Sequence, residues 1–180
     1  MTRLGRFDQR FFILDYETTG VDPNTDHPIE VGIIVADGHF RLLETYQAFI
    51  EVPDGIDPWA GDALGAFKVH GIFPEEWQSH SQPRAEVGSN ILNLARKHTI
   101  KERRPVLVSD NIQFEWAFTK LLIDLTGERW PFHYCGWDSS LMLEATGVGD
   151  PKPAHRALAD AGLLHAAIVA ALDRTRGCRE

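Results

Sequence analysis

The strongest constraint on the fold is the run Phe-Phe-Ile-Leu-Asp-Tyr-Glu at residues 11–17. It is apolar up to its two acids, which is the pattern of a strand buried on both faces and therefore central in a sheet. Asp15 and Glu17 are two residues apart, so their carboxylates point to the same face of that strand. Two like charges there are costly unless a positive group, such as a divalent cation, lies between them. The alternative is that Glu17 lies beyond the strand end, in solvent.

Composition and charge exclude some classes of protein. The 180 residues include 18 Lys plus Arg and 26 Asp plus Glu, so the formal charge is 18 − 26 = −8 with neutral His. The length fits a single domain, which we expect to span residues 1–180. A hydrophobic content of 43% is too high for a disordered chain. The negative charge argues against a protein that coats nucleic acid through bulk positive charge, but not against an enzyme that acts on nucleic acid.

The cysteines and the apolar segments indicate the compartment. Cys135 and Cys178 belong to no paired motif, which argues against a zinc ribbon, a disulfide scaffold or a CxxC redox site. No apolar run approaches the roughly 20 residues of a membrane helix. Arg3, Arg6 and Arg10 precede an apolar run that is too short for a signal peptide. We therefore expect a cytoplasmic protein without a membrane partner.

The order of elements predicts the fold class. Strands are expected at residues 11–17, 29–36, 39–52, 105–108 and 133–137, with a hairpin turn at Asp37-Gly38. Helices are expected at about residues 58–68, 84–98, 111–126, 139–146 and 154–174, and a loop at residues 147–153. This order predicts an α/β protein with a central mixed five-stranded sheet flanked by helices.

Two further acids lie on predicted helices. Asp160 shares one face of the last helix with the apolar residues Leu164, Ala167, Ile168 and Ala171, so it faces inward. An inward Asp needs a partner, which is a metal ion, an Arg or the N–H groups at the helix start.

Glu115 lies at the edge of an apolar helix stripe, where a residue taken alone is more often solvated. His155 is five residues before Asp160, so the two lie on different faces of a helix. They converge only if His155 lies in the loop before the helix, which Pro151 and Pro153 favour.

Together these segments resemble the DnaQ-like, or DEDDh, family of 3′–5′ exonucleases. The family motif D-x-E-T/S-T-G appears as D-Y-E-T-T-G at residues 15–20, H-N-x-x-F-D as D-N-I-Q-F-E at residues 110–115, and H-x-x-x-x-D as H-R-A-L-A-D at residues 155–160. The turn V-H-G-I stands at residues 69–72, and the resemblance covers residues 11–172. It implies a ribonuclease-H-like fold.

The second motif departs from the family pattern. Glu115 stands where the family has Asp, and Asp110 replaces its leading His. Asn111 and Phe114 align the motif in favour of Glu115, with Asp110 as a fallback ligand. Glu still offers oxygen to a hard cation, but it is one methylene longer.

The resemblance implies a metal-dependent exonuclease that hydrolyses phosphodiester bonds from the 3′ end of single-stranded nucleic acid and releases nucleoside 5′-monophosphates. Its two cations would be Mg²⁺ or Mn²⁺, which suit carboxylate ligands. The implied metal ligands and catalytic carboxylates are Asp15, Glu17, Glu115 and Asp160. His155 would be the general base, since histidine titrates near neutral pH. The implied substrate contacts are Thr18, Thr19, Gly20, His70, Ile72 and Asn111.

Four questions stay open at this level. The V-H-G-I turn slightly favours DNA, whereas residues 132–134 and 138–141 are similar to oligoribonucleases, which act on RNA. A catalytically impaired nucleic-acid-binding module is a further alternative, supported only by Glu115. Association with a polymerase or with a second copy is also open. A basic cluster is either a phosphate-contacting patch or a solvated helix end: Arg96, Lys97, His98, Lys101, Arg103 and Arg104.

Overall fold

Six strands form one mixed sheet in the computed structural model, which describes residues 8–60, 63–149 and 151–177. They are β1 (Arg10–Thr18), β2 (Pro28–Asp37), β3 (Leu42–Ile50), β4 (Ser81–Gln82), β5 (Val106–Ser109) and β6 (Trp137–Asp138). The spatial order is β4-β3-β2-β1-β5-β6. The β1–β2 and β2–β3 pairs are antiparallel, and the β1–β5, β3–β4 and β5–β6 pairs are parallel. The predicted mixed α/β sheet is confirmed.

The predicted number of five strands is wrong, because β4 was not expected. β4 has two residues, too few to show an alternating pattern. The last strand was expected at residues 133–137, whereas β6 begins at Trp137. The third strand begins at Leu42, not at residue 39, because the Asp37 carboxylate accepts the N–H groups of His39 and Arg41 and holds them in the turn.

Six helices flank the sheet within the described residues: α1 (Ala63–His70), α2 (Pro74–His80), α3 (Arg84–Lys97), α4 (Ile112–Asp124), α5 (Ser140–Thr146) and α6 (Ala157–Gly177). α2 was not predicted, since it buries no residue and so shows no apolar periodicity. The predicted helix at residues 58–68 begins later, at Ala63, because the Asp57 carboxylate accepts the Trp59 N–H in a turn. α6 begins at Ala157, three residues later than expected.

β1 is central and both of its faces are covered. Phe12, Leu14 and Tyr16 pack on one side with α3 and α4, whereas Phe11 and Ile13 pack on the other side with α5 and α6. Burying a large apolar side chain contributes about 1.5–3 kcal/mol. The apolar run therefore fits a strand between two helical layers, as predicted.

The predictions on membrane helices and on the cysteines can be compared with the structure. Among the described residues, no helix has the length and apolar character that crossing a membrane requires. Cys135 is exposed and forms no disulfide. Cys178, Arg3 and Arg6 lie outside the described residues.

Candidate metal centre

Three carboxylates meet where β1 approaches the start of α6. Asp15, Glu17 and Asp160 each offer an oxygen, and these oxygens lie within 4.8 Å of one another. Glu17 lies inside β1 and is half-buried, so it is not a solvated residue beyond the strand end. None of the three carboxylates forms an ion pair with a cationic residue that the structure describes.

A glycine brings α6 to this position. Gly32 of β2 is the register partner of Asp15. A Cβ at Gly32 would overlap the backbone of Ala157 and Leu158 in the first turn of α6. The missing side chain therefore lets the helix backbone lie directly on the sheet, which carries Asp160 to the β1 carboxylates.

Asp160 also shapes the loop before its helix. Its carboxylate accepts the N–H of Ala154 at 2.5 Å and the N–H of Arg156 at 3.2 Å. The alternative of bonds to the N–H groups at the helix start is therefore confirmed, and it coexists with the carboxylate cluster. An ion pair between Asp160 and an Arg is absent from the described residues. These bonds engage both carboxylate oxygens, Oδ1 with Ala154 and Oδ2 with Arg156, and fix the orientation of the side chain.

The electrostatics of the cluster fit a cation. Burial, which is the largest cause, and the neighbouring charges of Glu17, Glu115, Asp160 and Asp110 together raise the pKa of Asp15 to about 9. Burial likewise raises the pKa of Glu17 to about 8, with help from Asp160 and Glu30, while Arg156 opposes the shift. Carboxylates that repel one another in a partly buried site are stabilised when a divalent cation binds between them. The donor set, all oxygen, suits Mg²⁺ or Mn²⁺.

Glu115 lies close to this cluster but is not part of it. It is 3% exposed, and its carboxylate accepts the hydroxyl hydrogen of Ser109 at 2.8 Å. Burial raises its pKa to about 8, against the Ser109 hydrogen bond, which lowers it. A solvated Glu115 is thus ruled out. Its charge contributes to the raised pKa of Asp15, so the two carboxylates interact electrostatically.

The fallback ligand Asp110 lines a cavity beside the cluster. The cavity holds about 90 Å³, and its wall also includes Asp15 and Asp160. Asp110 is exposed, in contrast to Glu115. The structure therefore offers a buried and an exposed carboxylate on this side of the site.

His155 lies in the loop that precedes α6, as the two prolines predicted. Pro151 and Pro153 line the same cavity as Asp15. His155 has a φ of 58°, a left-handed conformation that is uncommon for a residue with a side chain. This conformation turns the chain from the proline-containing loop into the first turn of α6, beside Asp160.

Sequence reasoning missed the ion pairs that anchor this turn. Arg156 bonds to Glu30 of β2 at 3.4 Å and to Glu76 of α2 at 2.9 Å. Glu30 is 0% exposed and also accepts the N–H of Ala157 and the amide of Gln47. The available signal was an acid inside the apolar run at residues 29–36, because such an acid requires a partner.

The loop after β1 is closed by its own hydroxyl groups. The Thr18 hydroxyl donates to the carbonyl of Gly20 at 2.6 Å, and the Thr19 hydroxyl accepts the N–H of His27 at 2.9 Å. Both threonines are buried. Asn111 is exposed at the start of α4, and its side chain forms no cap bond there. Substrate contacts from these residues stay a prediction.

In the V-H-G-I turn, His70 and Ile72 are buried, whereas Val69 and Gly71 are exposed. The His70 Nδ1 atom accepts the N–H of Ile72 at 3.0 Å across Gly71. Burial, Arg156 and His155 together lower the pKa of His70 to about 4, so its ring is neutral at pH 7. Ile72 is 0% exposed, so a substrate contact from its side chain requires this turn to open. That contact, too, stays a prediction.

Comparison with known proteins is consistent with the geometry. The family model RNase_T, described as an exonuclease, matches residues 12–105, more than half of the chain. The chain is 26% identical over 163 residues to exodeoxyribonuclease I of Haemophilus influenzae, covering 87% of this chain and 33% of that protein. It is 28% identical over 166 residues to an oligoribonuclease of Chromobacterium violaceum, covering 82% of this chain and 84% of that protein.

The fold is also similar to that of a solved structure. E. coli exonuclease I in complex with a dT13 oligonucleotide superposes with a TM-score of 0.68 at 21% identity, covering 95% of this chain and 42% of that chain. This likeness confirms the expected ribonuclease-H-like fold. The chain spans only part of several relatives, a third of exodeoxyribonuclease I and about a tenth of DNA polymerase III of the PolC type from Thermotoga maritima.

Proposed function

Since the chain belongs to the RNase_T exonuclease family, as the motif resemblance predicted, we propose that it is a metal-dependent 3′–5′ exonuclease. Its substrate is the 3′ end of single-stranded nucleic acid, DNA in preference to RNA, and its products are nucleoside 5′-monophosphates. The observation that carries the proposal is the trio of converging carboxylates, Asp15, Glu17 and Asp160. We also propose that residues 1–180 form one exonuclease domain.

The cations would be held by the carboxylates on both sides of the site. Asp15, Glu17 and Asp160 would supply one side, and Glu115 would reach the other, in part through water. Divalent cations held there would stabilise the attacking and leaving oxygens of a phosphodiester. The raised pKa values of Asp15, Glu17 and Glu115 mean that these groups release protons when a cation binds.

His155 would take the proton from the attacking water. The proposal is supported by its place in the loop between the prolines and the first turn of α6, five residues before Asp160. His70 cannot share this role at neutral pH, because its buried Nδ1 atom is occupied by the N–H of Ile72. Thr18, Thr19, Gly20 and Asn111 would contact the terminal nucleotide at the mouth of the site.

The test is degradation of a 5′-labelled single-stranded oligonucleotide by the wild-type chain and by Asp15→Asn, with Mg²⁺ or Mn²⁺. We expect a ladder that shortens from the 3′ end with the wild type and disappears with the variant. Lack of degradation of both DNA and RNA by the wild type with either metal would refute the proposal.

RNA is the second candidate substrate, favoured by one observation. The match to the oligoribonuclease covers 84% of that protein, far more than the third of exodeoxyribonuclease I. Matched DNA and RNA oligonucleotides of equal length and sequence, degraded side by side, decide between them. Faster release of ribonucleotides would make the chain an oligoribonuclease-like exoribonuclease.

A further inference from the structure

A second concave surface lies away from the carboxylates, beside the start of β5. The cavity holds about 400 Å³. We name it the Arg104 groove, and the residues that define it are Arg103, Arg104, Trp130, Phe132, His133 and Tyr134. Arg103 and Arg104 belong to the basic cluster that the sequence showed.

Several positively charged residues of that cluster already form ion pairs within the chain. Arg96 pairs with Glu128, Lys97 with Glu44, and Arg103 with Asp8. These pairs support the interpretation of most of the cluster as a solvated helix end.

Arg104 differs from the others. Its guanidinium forms no ion pair with any residue in the described part of the chain and donates only to the carbonyl of Trp130, at 3.3 Å. Glu102 is the one acid among the residues lining the groove, and it is exposed. Arg104 thus keeps donors for an anion.

The aromatic residues of the groove complement this cation. Tyr134 is 84% exposed, an unusual degree for so large a ring, and its ring lies 4.3 Å from that of His133. The indole N–H of Trp130 is buried, and no acceptor among the described residues bonds to it. An exposed ring beside a guanidinium is the combination that binds single-stranded nucleic acid, by stacking on a base and contacting a phosphate.

The distance between the groove and the carboxylates can be estimated along β1. Gln9 bonds to the Arg104 carbonyl, so the groove lies level with the start of β1. Asp15 is six residues further along that strand, which corresponds to about 20 Å. Because helices cover both faces of β1, a bound strand would pass around the sheet, so it needs more than the roughly six nucleotides that this straight distance corresponds to at about 3.4 Å each.

We propose that the Arg104 groove binds the 5′-ward part of a single-stranded substrate whose 3′ end lies at the carboxylates, with a phosphate on Arg104 and a base on Tyr134. The inference rests on the proposed exonuclease function. It accounts for substrate capture by a chain of net charge −8, because one local cation and one ring replace bulk positive charge.

The test measures binding, independently of cleavage. The full chain carrying Asp15→Asn is titrated with 5′-fluorescein oligo-dT of 3 and 12 nucleotides at several KCl concentrations, and fluorescence anisotropy gives the Kd. We expect Arg104→Ala to raise the Kd of the 12-mer several-fold and to reduce the slope of log Kd against log salt by about 0.7. Tyr134→Ala should raise that Kd by about fivefold without changing the slope.

Two controls and the trimer separate this proposal from the alternatives. Tyr134→Phe keeps the ring and should keep the Kd of the Asp15→Asn parent. Arg41→Ala removes another exposed positive charge, at the β2–β3 turn, where Arg41 lies 3.8 Å from Asp37, and it should leave the Kd unchanged. The trimer is too short to reach the groove, so its affinity should be the same for all variants.

The proposal is overturned if both Ala variants bind the 12-mer within twofold of the parent, or if they weaken the trimer equally. It is also overturned if either variant changes the sedimentation coefficient of the free protein, because the groove would then be a protein interface. The wild type could fail to degrade any oligonucleotide while the variants still weaken 12-mer binding. In that case the exonuclease proposal fails and the proposal for the Arg104 groove is kept.

Discussion

Glu115 is one of the two residues at which this chain departs from the family's second motif, and its surroundings show how the longer side chain is accommodated. The residue is nearly inaccessible, and Ser109 at the end of β5 donates to its carboxylate. Its raised pKa means that it is largely protonated at pH 7 without a cation. A neutral amide of the same shape should therefore fit the same space.

We expect Glu115→Gln to lower exonuclease activity by about 100-fold or more, because an amide oxygen replaces an anionic ligand. The melting temperature without metal should stay close to that of the wild type, since Gln can still accept the Ser109 hydroxyl. The measurements are initial rates with Mn²⁺ and thermal unfolding in EDTA. Asp110→Asn is the matched control, and a greater loss from this change would make Asp110 the ligand.

A second prediction at this scale concerns Arg156, the residue after His155. Its ion pairs join this turn to β2 and α2. Arg156→Ala leaves Glu30 buried with fewer donors, at a cost of about 1.5–3 kcal/mol. Because the turn that carries His155 loses its anchor, kcat should fall more than KM rises. Arg156→Lys should restore part of kcat by renewing one ion pair. If Arg156→Ala and Arg156→Lys raise KM equally and leave kcat unchanged, Arg156 only binds substrate.

At the scale of elements, the close approach of α6 to β2 assembles the metal centre. The helix contributes Asp160, and the sheet contributes Asp15 and Glu17. The helix can reach them only because Gly32 leaves room for the backbone of Ala157. A backbone contact of this kind cannot be relieved by a rotamer change, so the site depends on one missing methyl group.

Gly32→Ala should therefore displace the start of α6, lower stability by about 1–3 kcal/mol and remove most of the activity. Gly162→Ala is the control, because a Cβ at Gly162, in the same helix, meets no atom within 4 Å. That variant should be neutral or slightly stabilising. Denaturant unfolding and initial rates measure both effects. Full activity of Gly32→Ala would show that the helix is not held by this contact.

At the scale of the whole molecule, the site links stability to pH and metal. The folded-state pKa values of Asp15, Glu17 and Glu115 are raised, to about 9, 8 and 8. A raised pKa means that the folded chain holds protons that the unfolded chain releases above about pH 4. The associated stability is present below about pH 4 and is lost as pH rises through about 8 to 9.

We therefore expect the melting temperature in EDTA to fall by several degrees between pH 5 and pH 9. Mn²⁺ should offset the fall, most strongly at the alkaline end, because it binds the ionised carboxylates. Asp15→Asn, which cannot ionise, should show a flatter profile in EDTA and less gain from Mn²⁺. Calorimetry at fixed ionic strength measures this, and a melting temperature that rises from pH 7 to pH 9 in EDTA would contradict it.

Much of the fold was predictable, because local patterns carry the information. The run at residues 11–17 predicted the central strand and the shared face of Asp15 and Glu17, since side-chain direction alternates along a strand. The prolines predicted that His155 precedes α6. β4 and α2 were missed, because two-residue strands and helices without buried residues leave no periodic signal.

The sequence by itself determined which groups could do chemistry: the carboxylates, the histidine and the order of elements that carry them. Only the tertiary structure decided how they meet. It paired Glu30 with Arg156, 126 residues away, buried Glu115 against Ser109, and seated α6 on Gly32. The physical reason is that periodicity records which face of an element is buried, whereas the element that covers this face depends on packing between distant segments.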